Sequence, residues 1–242
     1  MLYNILAIGD VVGGCGVSCL ERHLRAVKKL KNIHFTVVNG ENAAMVGLTP
    51  NDAERIFSAG ADVITLGNHT FGKMQITDYL DDCPYILRPH NLGARVPGRG
   101  YGVFDCGRAR IAVMNLIGRC DLAFHADNPF KTADELLKSG EKPTFTLLDF
   151  HAEATSEKLA MAYYLDGRVS AIWGTHTHVP TADEEVFPKG TGYLTDLGMT
   201  GAVRSVLGIK PEQSVETFLG GLPGRYREPE KSAGKMQGAI FT

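Results

Sequence analysis

Apolar residues in this chain gather in short runs that alternate with amphipathic stretches. YNILAIG opens the series at Tyr3, and a glycine-rich turn follows it. In VSCLERHLRAVKKL the apolar positions recur at helical spacing, and the basic residues fall late, where the negative end of a helix dipole favours them. IHFTVVN predicts a second strand. TPNDAERIFSAG predicts a helix with Thr49 as N-cap, Pro50 in the first turn and Gly60 as the stop. ADVITLGN is a third strand and KMQITDYLDDC another helix. The order β-α-β-α-β-α predicts a mostly parallel sheet covered by helices.

The middle of the chain changes character. YGVFDCGRARIAVMNLIG predicts a hairpin that turns at Cys106–Arg110, around Gly107. Residues 119–142 are more polar and hold a short helical piece, TADELLKSG. They are expected as a small insertion in a single domain spanning residues 1–242. TFTLLDFH resumes a buried strand, EATSEKLAMAYYLDG a helix, and VSAIWGTHTH a further strand and turn. EVFP and GYLTD predict a second hairpin near Lys189–Gly190. From Gly220 to Thr242 the chain mixes proline, glycine and charge, and it is expected to be peripheral.

The ends of the predicted strands share one feature. The first ends in Gly9-Asp10, the second in NGEN (39–42), the third in GNHTF (67–71), the fourth in DFHAE (149–153) and the fifth in GTHTH (174–178). Ligands of open parallel sheets bind beyond the carboxyl ends of the strands. Asp10, Glu41, Asn42, Asn68, His69, His151, His176 and His178 are thereby offered to one crevice. On an extended strand, His176 and His178 also face the same way. Taken singly, each has an ordinary structural role, such as Asp10 as a cap or Asn42 and Asn68 as turn formers. A ligand-type side chain at every strand end is harder to assign to separate structural causes. The set also exceeds the four groups that one tetrahedral ion needs, and a pair of ions about 3.5–4 Å apart sharing a carboxylate uses the surplus. Backbone N–H groups of Asp10–Gly16 are expected to face an anion there. His90, His125, Arg88 and Arg119 are weaker candidates at the substrate side of the crevice, while His23 and His34 suit solvent or packing.

Bulk properties narrow the partners. The chain has 242 residues, 44% hydrophobic and 21% charged, with a formal net charge of −2. That balance gives no global field favouring nucleic acid or membrane. No apolar run approaches the roughly 20 residues that span a bilayer, and MLYNILAIGD reads as a strand and not as a signal peptide. The five cysteines are widely spaced, without a CxxC pair. Reduced thiols and a cytoplasmic location are expected.

The residues also carry a resemblance. The series GD, GEN, GNH, a lone His and GTHTH resembles the calcineurin-like metallophosphoesterase superfamily. The blocks IGDVVG, NGENAA, TLGNHTF, PGRGYGVF, PFKTADELL, DFHAEATSEK, GTHTHVPTAD and TDLGMTG resemble its YmdB-type bacterial subgroup, over about residues 1–222. Two departures from the wider superfamily stand out. Val12 occupies the place of a usual metal-binding histidine, and Glu41 that of a usual aspartate. The resemblance implies an α/β sandwich of mostly parallel or mixed sheets flanked by helices. It implies two divalent or trivalent transition-metal ions. One would be held by Asp10, Glu41, Asn42 and His178, the other by Glu41, Asn68, His151 and His176. The oxygen-rich first set favours iron or manganese, with zinc next.

The implied activity is hydrolysis of 2′,3′-cyclic nucleotides or related phosphodiesters, RNA-derived ends among them, by attack of a metal-bridging hydroxide. His69 would be the general acid or a donor to the phosphoryl group. The substrate-binding residues are not specified, and self-association into a homo-oligomer is left open. Phosphomonoester hydrolysis and a regulatory role through a partner, on the same scaffold, are the alternatives. A dinucleotide-binding fold fits less well, because GDVVGGCG does not put GxGxxG in register and Asp10 would repel a pyrophosphate.

Overall fold

Long apolar runs need cover on both faces, and the chain supplies it with two sheets stacked between two layers of helices. The computed structural model describes residues 2–122, 125–138, 142–222 and 224–242. The first half contains β1 (Asn4–Ile8), β2 (Asp10–Val11), α1 (Gly13–Leu30), β3 (Ile33–Asn39), α2 (Pro50–Ala59), β4 (Val63–Thr65), α3 (Ile76–Asp82) and β5 (Ile86–Leu87). The middle contains β6 (Tyr101–Asp105), β7 (Arg110–Ile117), α4 (Pro129–Leu137), β8 (Phe145–His151), α5 (Thr155–Leu165) and β9 (Ala171–Thr175). β10 (Glu185–Val186), β11 (Gly192–Leu194), β12 (Met199–Ala202), α6 (Pro211–Phe218), β13 (Gly234–Lys235) and β14 (Gly238–Phe241) complete the chain.

One sheet runs β14-β1-β3-β4-β5 and the other β10-β11-β9-β8-β7-β6, with a small third sheet β13-β12-β2. Parallel pairs form the centre of both large sheets, and antiparallel pairs lie at three of their four edges, the exception being β5, which pairs parallel with β4. Between them lie Phe35 and Val37 of one sheet against Val113, Leu147 and Trp173 of the other. The outer face of the first sheet packs Val38 and Ile64 on Leu20, Leu24 and Ile56 from α1 and α2. The outer face of the second packs Leu148 and Phe150 on Met161 and Leu165 of α5 and Ala133 of α4. This is an α/β/β/α sandwich, so the strand ends come from two sheets and not from one.

Local signals fix several boundaries. The Thr49 side chain accepts from the Asp52 N–H, Pro50 begins α2, and Gly60 ends it at φ 122°. Both predicted hairpins form, β6–β7 across 106–109 and β10–β11. α1 starts sooner than the apolar spacing suggests and takes in the glycine-rich turn. A Cβ on Gly16 would lie 2.4 Å from the Thr200 carbonyl oxygen, so glycine is what lets α1 lie against β12. α4 begins at Pro129, because Asn128 caps it by accepting from the N–H groups of Phe130 and Lys131.

The segment 119–142 falls partly outside the described residues, at 123–124 and 139–141. Its start is tied to α5, where the Glu157 carboxylate accepts from the N–H groups of Arg119 and Cys120. The C-terminal segment stays at the surface, with no described residue from Gly220 onward buried, but its end joins a main sheet as an edge strand. β14 pairs antiparallel with β1, from Ile5 with Phe241 to Ile8 with Gly238, and Phe241 packs on Trp173. This partner is more than two hundred residues distant, so nothing local announces it.

Candidate metal centre

Every expected ligand sits at or just beyond the carboxyl end of a strand. Asp10 begins β2, directly after β1. Glu41 and Asn42 follow β3, Asn68 and His69 follow β4, His151 ends β8, and His176 and His178 follow β9. Val12 and Asn42 form an isolated parallel bridge, and the Gly13 N–H bonds to the Asn42 carbonyl, which draws the Glu41–Asn42 loop beside Asp10. The structure thus brings Asp10, Glu41, Asn42, Asn68, His69, His151, His176 and His178 to one locus.

The two histidines of GTHTH reach this locus by a different route from the expected one. β9 stops at Thr175, and His176 and His178 have φ values of 100° and 63°. Non-glycine residues adopt such left-handed conformations at a cost, and mainly where function holds them. Strand alternation therefore does not aim these side chains; a strained turn does. Thr177 also lines the pocket.

The polar atoms here face one another with too few protons between them. His151 Nε2 lies 2.8 Å from Asn68 Oδ1, 3.1 Å from His176 Nδ1 and 3.3 Å from Glu41 Oε1. Acceptor atoms of Glu41, His151 and His176 all lie within 4.8 Å of one another. Asp10 Oδ1 is buried without a hydrogen-bond partner, 3.8 Å from His178 Nε2. Its other oxygen accepts from the His176 N–H at 3.2 Å. Such a set suits a cation.

The protons of the three histidines are held on the far side of each ring. The Thr175 hydroxyl donates to Asp149 (2.8 Å), so it can only accept from His151 Nδ1–H (2.9 Å). Glu153 lies 3.0 Å from His176 Nε2, and the Leu207 carbonyl 3.3 Å from His178 Nδ1. His151 and His178 therefore offer Nε2, and His176 offers Nδ1, as a ligand would. Asn42 instead turns its NH₂ toward Glu41 (3.0 Å) and His178 (3.2 Å), with Oδ1 on His69 Nδ1 (2.8 Å).

Support for this arrangement comes from residues that spacing alone does not single out. Asp149 is fully buried and accepts from Thr65, Asn39 and Thr175, joining both sheets beneath the site. The buried pair Lys158–Asp196 (2.7 Å) receives the Thr177 N–H and so fastens the histidine turn from below. Gly67 forms part of the floor: a Cβ there would lie 2.3 Å from both Glu41 Oε2 and His151 Nε2. Charged residues inside the runs TLLDFH and EKLAMAYYL are the available signal for Asp149 and Lys158.

Electrostatics follow from this crowding. Burial works to lower the His151 pKa, but Glu41, Asp10 and Asp149 outweigh it and raise it to about 9. Burial would raise Glu41, yet His151 and His69 hold it well below the usual carboxylate range. Burial raises Asp10 to about 6 against the pull of His178 and His151. Burial, with His151 adding to it, lowers His176 to about 3. The cluster draws a proton to His151 in the way that it would draw a metal ion.

The family described as "YmdB-like protein" matches residues 6–242. The chain belongs to the YmdB-like protein family. It is 46% identical over 229 residues to a 2′,3′-cyclic-nucleotide 2′-phosphodiesterase of Bacillus subtilis (strain 168), covering 94% of this chain and 86% of that one. A crystal structure described as a novel phosphatase from Mycoplasma pneumoniae superposes with a TM-score of 0.91 at 34% identity, over 98% of this chain and 86% of that one. A hypothetical protein from Thermus thermophilus gives a TM-score of 0.88 at 34% identity, over 98% of each chain. The fold is the metallophosphoesterase-type sandwich, and the acceptor cluster fits the divalent metal ions that this family implies.

The weaker candidates of this YmdB-like chain separate from the site. Arg88 is buried and donates to the carbonyls of Pro89, His90, Gly93, Val96 and Pro97, so it is a structural clamp. His34 accepts from the Asn4 N–H and stacks on Tyr3. His90, His125 and Arg119 do not line the pocket over the cluster. Of the N–H groups expected to face an anion, Val12 bonds to Thr200, Gly13 to Asn42, Cys15 to Glu228 and Gly16 to Val12. Among the described residues no helix is long and apolar enough to cross a membrane.

Proposed function

We propose that this chain is a metal-dependent phosphodiesterase acting on 2′,3′-cyclic nucleotides and related phosphodiesters, RNA ends of that kind included. The observation that carries this reading is the convergence of acceptor atoms from Glu41, Asn68, His151 and His176. The 46% identity to a 2′,3′-cyclic-nucleotide 2′-phosphodiesterase supplies the substrate class.

Asp10, Glu41, Asn42 and His178 would hold one ion, and Glu41, Asn68, His151 and His176 the other, with Glu41 shared. When bound, two such ions supply an acidified water nucleophile and neutralise the charge of the diester. The oxygen-rich first set favours iron or manganese over zinc. As a ligand, Asn42 must turn its amide over to offer Oδ1. That turn hands an N–H to His69 Nδ1, so the ring accepts there and carries its proton on Nε2. His69 is 37% exposed and lines the pocket, so that proton faces the substrate. His69 would pass it to the departing ribose oxygen as the P–O bond breaks, worth about 10²–10⁴-fold in rate. Its backbone is held by its N–H bond to Glu41 (3.0 Å), which keeps the ring in register with the ligands.

The five unpaired cysteines suit a reducing compartment, and we assign the cytoplasm as the site of action. A panel of phosphodiesters and phosphomonoesters tests the reading with the metal-loaded wild type, Glu41→Gln and Asn68→Ala. The wild type is expected to prefer cyclic diesters, with each variant slower by at least about 100-fold. Equal rates in all three proteins would remove the metal mechanism, and a preference for monoesters would make the chain a phosphatase.

A further inference from the structure

The pocket over the acceptor cluster measures about 340 Å³ and has two unlike halves. Its polar side includes Glu41, Asn42, His69, Glu153, His176 and His178. Its far wall is apolar, formed mainly by Met45, Val46, Leu207, Ile209 and Tyr226. An anionic phosphodiester has no use for such a wall. It suits whatever part of the substrate lies beyond the phosphate.

Two observations mark the wall as part of the site. Among the described residues six non-glycines have positive φ, and four of them, Met45, His176, His178 and Leu207, line this pocket. The strained backbone that aims the histidines is therefore repeated in the wall. Leu207 joins the two halves, since its carbonyl faces His178 Nδ1. Tyr226 is also held firmly while remaining 54% exposed. On one side the Arg225 carbonyl accepts from Gln213 Nε2 (2.8 Å). On the other, the Arg227 N–H bonds to Gln213 Oε1 (3.1 Å) and the Arg227 carbonyl accepts from the Lys210 N–H (2.8 Å). Glu228 then ties the segment to α1 through the Cys15 N–H (3.1 Å). An aromatic ring presented to solvent by a braced backbone, beside a polar catalytic floor, is a platform for a planar apolar group.

We propose that this wall is a nucleobase subsite, with Tyr226 as the stacking face and Met45 and Leu207 as aliphatic contacts. The inference rests on the cyclic-nucleotide reading above and deepens it by naming what holds the base. Aromatic stacking tolerates any base, because each presents a π face, and its loss lowers affinity by about 5- to 150-fold. Tyr226 is a specificity-determining residue here, remote from the phosphoryl transfer.

The test uses the manganese-loaded holoenzyme with two substrates, adenosine 2′,3′-cyclic phosphate and the base-less methyl riboside 2′,3′-cyclic phosphate. The ratio of their kcat/KM values is measured for wild type, Tyr226→Ala and Tyr226→Phe. Tyr226→Ala is expected to reduce the preference for the base-bearing substrate by about 5- to 150-fold, through KM, whereas Tyr226→Phe keeps it. An unchanged ratio in Tyr226→Ala overturns the inference, whether or not both rates fall together. If the wild type cleaves neither diester, the phosphodiesterase reading fails by itself. The subsite is then decided by saturation-transfer NMR with adenosine 3′-monophosphate. Base-proton contact in wild type but not in Tyr226→Ala sustains it, and absence of contact in wild type overturns it.

Discussion

The Thr175 hydroxyl lies 2.9 Å from His151 Nδ1, and its own proton is committed to Asp149 at 2.8 Å. This one contact fixes which nitrogen of His151 faces the acceptor cluster. Asp149 in turn receives Thr65 and Asn39 from the other sheet, so the tautomer of His151 is tied to the packing of the whole sandwich.

Thr175→Val keeps the shape of the side chain and removes this relay. Metal affinity is expected to fall by about 10- to 100-fold. Asp149 Oδ1 loses its donor while Oδ2 keeps Thr65 and Asn39, and the buried oxygen left unsatisfied is expected to cost about 1–3 kcal/mol of stability. Metal competition titrations and thermal unfolding read the two effects separately.

Gly67→Ala should act more sharply on the site than on the fold. The new Cβ would fall 2.3 Å from Glu41 Oε2 and His151 Nε2, so both side chains must move. Displacement by about 1 Å costs on the order of 100-fold in rate. Turnover and bound metal should both drop while the circular dichroism spectrum stays that of the wild type.

The pair Lys158–Asp196 is buried on both sides, at 1% exposure each. Lys158→Met leaves the carboxylate without its counter-charge and is expected to cost about 3–5 kcal/mol. Asp196 also receives the N–H groups of Thr177 and Gly198. Urea denaturation measures the loss, and the histidine turn should lose metal before the protein unfolds.

Much of this is legible in the chain. Thr49, Pro50 and Gly60 frame their helix because capping and φ preferences act locally. The ligand-type residues are legible because they recur where apolar runs stop. The source of the strand ends is less legible, since alternating β and α units look the same in one sheet or two. The turn at His176 and His178 reads as extended in the sequence, because no residue code marks a non-glycine held at positive φ. Asp149 and Lys158 stand in plain view inside apolar stretches, but their partners lie on other elements. β14 cannot be foreseen, because GAIF carries no sign that it will meet β1.

Metal uptake should release protons. Asp10, at about 6, and His151, at about 9, must both lose theirs before acting as ligands. Between those values one proton is displaced, so affinity should tighten by about tenfold per pH unit and level off above pH 9. In chelator-stripped protein the raised His151 pKa works the other way. Its stabilising contribution is complete below the ordinary value of 6.5 and is lost as pH rises through about 9. Calorimetric metal titrations from about pH 6 to 10 check the first trend, and melting temperatures of the stripped protein check the second.

The convergent acceptors are proposed to build a two-metal phosphodiesterase. The most direct test of this is to strip the protein with a chelator and titrate manganese back while following hydrolysis of a 2′,3′-cyclic nucleotide. Negligible turnover is expected without metal, and a rise that saturates at about two equivalents. Full turnover in the stripped protein, or no turnover at saturating metal, would contradict that proposal.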